Sequence, residues 1–213
     1  MKSLVVSAFM ILLAGATSRV NAQSNEPVAG KDYVEISNGT PPDPTSNQVV
    51  VEEFFNYICP ACFGFEPLLL SWTGKLPDYA KVVHVPATFR ADFMLYARAY
   101  YAAEALGIVD KTHAAVYEAI HLTHKLPAEG DKPDEDRIAA FYSGFGVDKS
   151  QFLNTMKSFG VETKVRRATE RMQRSRVPST PSLVVNGRYL VRGESNQDML
   201  RIASYLIEKE HKK

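Results

Sequence analysis

Residues 49–67 read VVVEEFFNYICPACFGFEP, an apolar, β-branched run that breaks at Asn56 and gives way to the only two cysteines of the chain, Cys59 and Cys62. From Gln48 to Phe55 the composition is that of a buried strand. Beyond Cys59 the spacing changes: Phe63, Phe65, Leu68, Leu69 and Trp72 recur at helical intervals, and Gly74 ends the segment. Pro60 suits the first helical turn, where its missing N–H costs no hydrogen bond; Pro67 falls inside the helix and is expected to kink it. Cys59 is thereby placed at a strand-to-helix junction, with Cys62 one turn further on.

That junction favours reactive sulfur. A cysteine attacks or leaves as its thiolate, and the unpaired N–H groups and dipole at a helix N-terminus lower its pKa. Cys62 is close enough to close a disulfide yet more enclosed by the following turn. Cys59 is therefore expected to attack or be attacked, and Cys62 to resolve. Two other readings stand beside this one, half of a zinc site completed by His121 and His124, or an inert structural disulfide. Zinc pairs usually lie on tight knuckles rather than at the head of an apolar helix. A chain of this length also buries a core without a disulfide that closes so small a loop.

The N-terminus bears on the compartment. Met1 to Ser3 form a short basic head, Leu4 to Ala16 an apolar stretch short for a membrane span, and Val20-Asn21-Ala22 a small-residue cleavage site. Residues 1–22 are expected to be a secretory signal peptide cut before Gln23, the alternative being an uncleaved anchor. Removing them takes away Lys2 and Arg19 and no acid, which turns the formal charge of +1 into −1. Nothing in that balance calls for nucleic acid. An exported chain meets conditions in which disulfides form and persist.

Further along, Tyr33 to Ile36 alternates like a short strand and Asn38 to Pro44 is a loop by composition. Tyr79 to Pro86 gives another strand. Five helical patterns follow without strand-like alternation: one that Asp92 is expected to cap and Gly107 to stop, then Lys111 to Thr123, Glu135 to Tyr142, Asp148 to Ser158 and Val161 to about Arg174. Ser182 to Val185 and Arg188 to Val191 flank Asn186-Gly187, the strongest short hairpin signal, and Asn196 to Glu210 closes the chain as an amphipathic helix. A strand-helix-strand unit that meets its hairpin only after a helical block implies one sheet with an insertion. The expected division is a core of residues 23–89 and 177–213 and an inserted helical domain of residues 90–176.

Strand, C-P-x-C, helix, helical insertion, T-P before a strand and an N-G hairpin together resemble the DsbA family of periplasmic thiol:disulfide oxidoreductases. The resemblance runs from Tyr33 to the C-terminal helix and implies an α/β thioredoxin fold with an α-helical domain inserted between its βαβ and ββα units. It implies Cys59 and Cys62 as the redox pair, Pro60 and Ala61 as the dipeptide between them, Pro181 as a cis-proline facing them, and Thr180 before it as a backbone partner for extended substrate. Glu53 matches an acidic residue beneath the site, where a buried carboxylate can accept the resolving thiol's proton. The alternative for Glu53 is a solvated strand carboxylate, the state expected of its neighbour Glu52.

The same resemblance implies disulfide donation to unfolded exported proteins in the periplasm, a redox-active disulfide with no other cofactor, recycling by a quinone-linked membrane oxidase of the DsbB type, and a monomer. One position departs from the family: DsbA proteins commonly carry histidine where this chain has Ala61. Without it the Cys59 thiolate is expected to be less stabilised and the disulfide less oxidising. Thioredoxin and DsbA differ by about 150 mV, roughly 7 kcal/mol for two electrons, so the change bears on direction. A reductase or isomerase of the same fold, or a non-enzymatic holdase, are the rivals.

The remaining candidates carry less. Lys164, Arg166, Arg167, Arg171, Arg174 and Arg176 form a basic stripe, read as a solvated face, the alternative being a guide for acidic substrates or anionic lipid headgroups. His113, His121 and His124 are expected on helix surfaces, and His84 as an ordinary strand residue, with a place beside the site as the alternative. Tyr57 and Phe63 serve core packing or an apolar substrate groove.

Overall fold

The computed structural model describes residues 26–213 apart from 40, 43, 44 and 46. The signal segment expected over residues 1–22 lies outside the described residues. In chain order the elements are β1 (Tyr33–Glu35), β2 (Val49–Phe55), α1 (Pro60–Thr73), β3 (Ala80–Pro86), α2 (Ala91–Ala105), α3 (Val109–His121), α4 (Glu135–Ser143), α5 (Lys149–Met156), α6 (Phe159–Arg174), β4 (Ser182–Val185), β5 (Tyr189–Val191) and α7 (Asn196–His211).

The strands form one sheet in the order β1-β5-β4-β2-β3, with β2 and β3 parallel and the other neighbours antiparallel. β2 is an interior strand and buried along its whole length, which suits its near-continuous apolar run. Its partners come from both sides of the helical block: Glu53 stands opposite His84 on β3 and Leu183 on β4. The sheet is completed across the insertion, as the resemblance implies.

Strand periodicity sorts side chains onto two faces. Val51 of β2 and Leu183 and Val185 of β4 pack with Phe65 and Leu69 of α1 and Leu206 of α7. Val184 and Leu190 instead join a cluster built on the helical block, which includes Ala102, Val116, Ile120, Ile138 and Phe152. That second cluster also contains Tyr57, Cys59 and Cys62. The inserted helices are thus packed directly behind the cysteine pair.

Local chemistry sets the element ends. Asn186 and Gly187 both take positive φ, 52° and 63°, the geometry of a two-residue type I′ hairpin. Asp134, Asp148, Ser158 and Ser195 cap α4, α5, α6 and α7 by accepting from the backbone N–H three residues on, each worth about 1 kcal/mol. Asp92 does not cap α2: Arg90 holds that position without a side-chain hydrogen bond, and Asp92 lies in the first turn, accepting from Phe93 N–H and pairing with Arg90. Gly107 ends α2 at φ 69°, a conformation costly for other residues. α1 runs on both sides of Pro67.

Candidate active site

The turn from β2 into α1 is anchored by a residue the sequence reading passed over. Asn56 is fully buried; its amide donates to the carbonyls of Ala87 at 3.0 Å and Phe93 at 3.1 Å, and its Oδ1 accepts from Ile58 N–H. Its own carbonyl accepts from Cys59 N–H. One side chain therefore ties the active-site turn to the β3–α2 connection. The signal was present in the sequence as a lone amide ending an apolar run.

Cys59 occupies the N-cap of α1, with Pro60 opening the helix and the Cys59 sulfur accepting from Cys62 N–H at 3.4 Å. Across the cleft the Thr180–Pro181 peptide is cis, and the Thr180 carbonyl lies 3.4 Å from Cys59 Sγ. Both cysteines are free thiols, Cys59 at 8% exposure and Cys62 fully enclosed. The Cys59 thiol is brought down to about 6, first by the hydrogen bond from Cys62, against burial, then by the Thr180 side chain and the N–H groups of Cys62 and Ala61. Cys62 is pushed far above the ordinary thiol range, first by burial, then by its hydrogen bond to Cys59 and the charges of Cys59 and Glu53. The two sulfurs differ by environment alone. Ala61 contributes its backbone N–H, so the thiolate is stabilised without an imidazole in the dipeptide.

Glu53 is buried beneath this pair, and its Oε2 accepts from His84 Nδ1 at 2.6 Å. Its neighbour Glu52 is not solvated. Successive strand residues point to opposite faces, which puts Glu52 under α6, 2% exposed and 3.3 Å from Arg171. The basic stripe is accordingly divided: Arg171 serves Glu52, Lys164 pairs with Glu104, and Arg166 with Glu170.

Two of the three insertion histidines also depart from expectation. His113 is buried, sharing a 2.9 Å hydrogen bond with the Tyr57 hydroxyl, and its Nε2 lies 3.4 Å from Glu66. His121 donates from Nε2 to the Tyr57 carbonyl and stacks on Phe63. Of the three only His124 is exposed, while His121 is committed to Tyr57. His113, Tyr117 and His121 recur at helical spacing on the side of α3 that meets the active-site turn. Glu66, also missed, follows Cys62 by four residues in the buried stripe of Cys62, Phe65, Glu66 and Leu69.

The chain is similar to known proteins. Residues 50–204 match the family model of the DSBA-like thioredoxin domain. The thiol:disulfide interchange protein DsbA of Pseudomonas aeruginosa is 35% identical over 213 residues, covering 99% of this chain and 97% of that protein. DsbA of Burkholderia cepacia is 31% identical over 191 residues, covering 87% and 85%. The crystal structure of the oxidoreductase DsbA from Xylella fastidiosa superposes with a TM-score of 0.84 at 37% identity, covering 88% of this chain and 99% of that one. Relatives of this kind span almost the whole chain, the family model covers most of it, and the chain belongs to the family of DSBA-like thioredoxin domains.

Proposed function

We propose that this protein introduces disulfide bonds into exported proteins in the periplasm, by thiol:disulfide exchange through Cys59 and Cys62. The observation that carries the reading is the contrast between the two sulfurs: Cys59 sits at the N-cap of α1, accepts from Cys62 N–H and lies against the cis Thr180–Pro181 peptide, a setting that lowers its pKa, while Cys62 is fully enclosed and disfavoured as thiolate. A substrate thiolate attacks Cys59 Sγ, the outer sulfur. The Cys59–Cys62 bond breaks, its electron pair stays on Cys62, and a proton neutralises that sulfur. A second substrate thiolate then attacks the substrate sulfur of the mixed disulfide, a substrate disulfide forms, and Cys59 leaves as its stabilised thiolate.

The Thr180 carbonyl beside Cys59 offers a backbone acceptor to an extended substrate segment. Pro181, directly before β4 on that side, brings no donor of its own. Glu53 exchanges the Cys62 proton. The cysteine pair is the only redox centre the chemistry needs, and a quinone-linked membrane oxidase of the DsbB type, acting on a monomer, would restore the disulfide.

The test is the reduction potential of the pair in glutathione buffers. A donor has a potential well above the roughly −270 mV of thioredoxin, because stabilising the Cys59 thiolate stabilises the reduced form. A value at or below about −270 mV would make the protein a reductase and overturn the proposal. A protein that suppresses aggregation but exchanges no thiols would place it among holdases instead.

A further inference from the structure

Two carboxylates and two imidazoles share one enclosed space beneath the cysteine pair. Glu53 on β2 bonds His84 on β3 through Oε2, while its other oxygen, Oε1, is buried without a hydrogen-bond partner. The charge of Glu53 acts on Cys62. One carboxylate oxygen of Glu53 is therefore free to take up or give a proton, and the other is already joined to an imidazole.

His84 continues the line outward. Its side chain keeps 24% of its exposure. Nε2 bonds to no protein atom and is absent from the buried unpartnered atoms among the described residues, so it opens to solvent. The titratable groups facing His84 are Glu53 from β2, Glu66 from α1 and His113 from α3, the last with its ring centroid 4.8 Å away. Phe55 packs edge-on against both imidazoles. His113 is held in turn by Tyr57 and lies beside Glu66, whose two oxygens are buried without hydrogen bonds. The ring of His84 is thus confined with one nitrogen on Glu53 and the other toward water.

We propose that His84 is the proton conduit of Cys62, carrying a proton between solvent at Nε2 and Glu53 at Nδ1, with Glu53 exchanging it with the Cys62 sulfur. The inference rests on the exchange chemistry proposed above for the cysteine pair. When the disulfide opens, the attacking thiolate supplies the electron pair of the new bond to Cys59. The pair of the broken bond remains on Cys62, and one proton enters from solvent through His84 and Glu53 to neutralise it. When Cys62 attacks a mixed disulfide, the same proton leaves by the same route. The enclosure of Cys62 favours such a route, since a bare thiolate buried there is desolvated. His84 acts through Glu53 and is a positioning residue.

The experiment is stopped-flow reduction of the oxidised protein by dithiothreitol from pH 5 to 9, with rates normalised to the dithiothreitol thiolate, comparing wild type with His84→Gln. Glutamine can hold the Glu53 hydrogen bond but relays no proton. Burial works against a charged His84, yet the hydrogen bond and charge of Glu53, aided by Glu66, raise its pKa above the ordinary value. The proton-carrying form therefore prevails at the acid end. The normalised wild-type rate should be highest there and fall as pH rises through that pKa. His84→Gln should be about tenfold slower at the acid end, short of the roughly hundredfold of a full general acid, and should lack the step.

A His84→Gln profile with the wild-type shape, unchanged or uniformly slowed, overturns the proposal. Wild type alone gives a second readout: the normalised rate at acid pH should fall about twofold in deuterium oxide if the proton moves as the bond opens, and an unchanged rate overturns the conduit. A wild-type disulfide that opens no faster than that of a short linear peptide overturns the exchange reading itself, and the conduit with it.

Discussion

His121 lies flat against Phe63, ring centroids 4.8 Å apart and planes 12° from parallel, while its Nε2 donates to the carbonyl of Tyr57 at 2.8 Å. One residue of α3 thus holds both flanks of the cysteine pair, the turn before Cys59 and the first turn after it. Tyr117, one helical turn earlier, packs on the same two residues. The insertion is a brace for the active-site turn as well as a wall beside it. His121→Ala removes a hydrogen bond and a stacking contact and should lower stability by about 1–2 kcal/mol. His121→Asn, which can keep the donor, should recover part of that loss. Urea denaturation of the three proteins measures it, and equal midpoints would show that the brace carries no energy.

The reduced protein should titrate as one thiol, not two. Thiolate absorbance near 240 nm should rise around pH 6 from Cys59 and show no second step up to about pH 10, since Cys62 is held far above the ordinary range. Cys59→Ser should remove the step. The stability consequence has a definite sign. The folded-state pKa of Cys59 is depressed, so its contribution is full above the unfolded thiol range near 9 and is lost as pH falls through about 6. Reduced protein should gain on the order of 3 kcal/mol over oxidised protein between those limits. A difference that is flat in pH would mean that the thiolate is not stabilised in the fold.

The sequence showed whatever is local. The run from Val49 to Phe55 and the spacing after Cys59 defined β2 and α1, and Asn186-Gly187 defined the hairpin. Partners drawn from other elements were not visible. His113 lies in the buried stripe of α3 with Val116, Tyr117 and Ile120, so its helical position argued for burial, but its polarity argued against it. The group that settles the matter, the Tyr57 hydroxyl, is 56 residues away. Glu52 misled for the same reason, because its cation sits on α6, far along the chain. Buried polar residues are satisfied by distant partners, which local pattern cannot supply.

Asn56 should be the costliest polar residue of the turn to replace. Asn56→Ala takes a donor from two carbonyls, those of Ala87 and Phe93, and an acceptor from Ile58 N–H. The expected loss is about 2–3 kcal/mol, with faster amide exchange confined at first to Ile58 and Cys59. Asn56→Asp keeps the acceptor but buries a charge against two carbonyls, and should be worse than alanine. Thermal melts and hydrogen exchange decide between these outcomes, and an aspartate variant as stable as wild type would contradict the hydrogen-bond assignment.

Arg171 and Glu52 supply a test in which pH reports on a single ion pair. Burial raises the Glu52 pKa, and the charges of Arg171 and then Arg174 pull it back. The net shift is upward, so Glu52 contributes most below the ordinary carboxylate range, and its contribution is lost as pH rises through the folded-state value. Removing Arg171 takes away the largest opposing charge, moves that value further up and widens the window. Arg171→Met, which keeps most of the side-chain volume, should therefore cost about 2–3 kcal/mol at pH 7.5. That is less than the full penalty of a stranded buried charge, because Glu52 can take up a proton. At pH 4.5 most of the loss should disappear. Denaturation midpoints at the two pH values measure the difference, and a penalty independent of pH would locate the role of Arg171 in packing against the sheet rather than in pairing with Glu52.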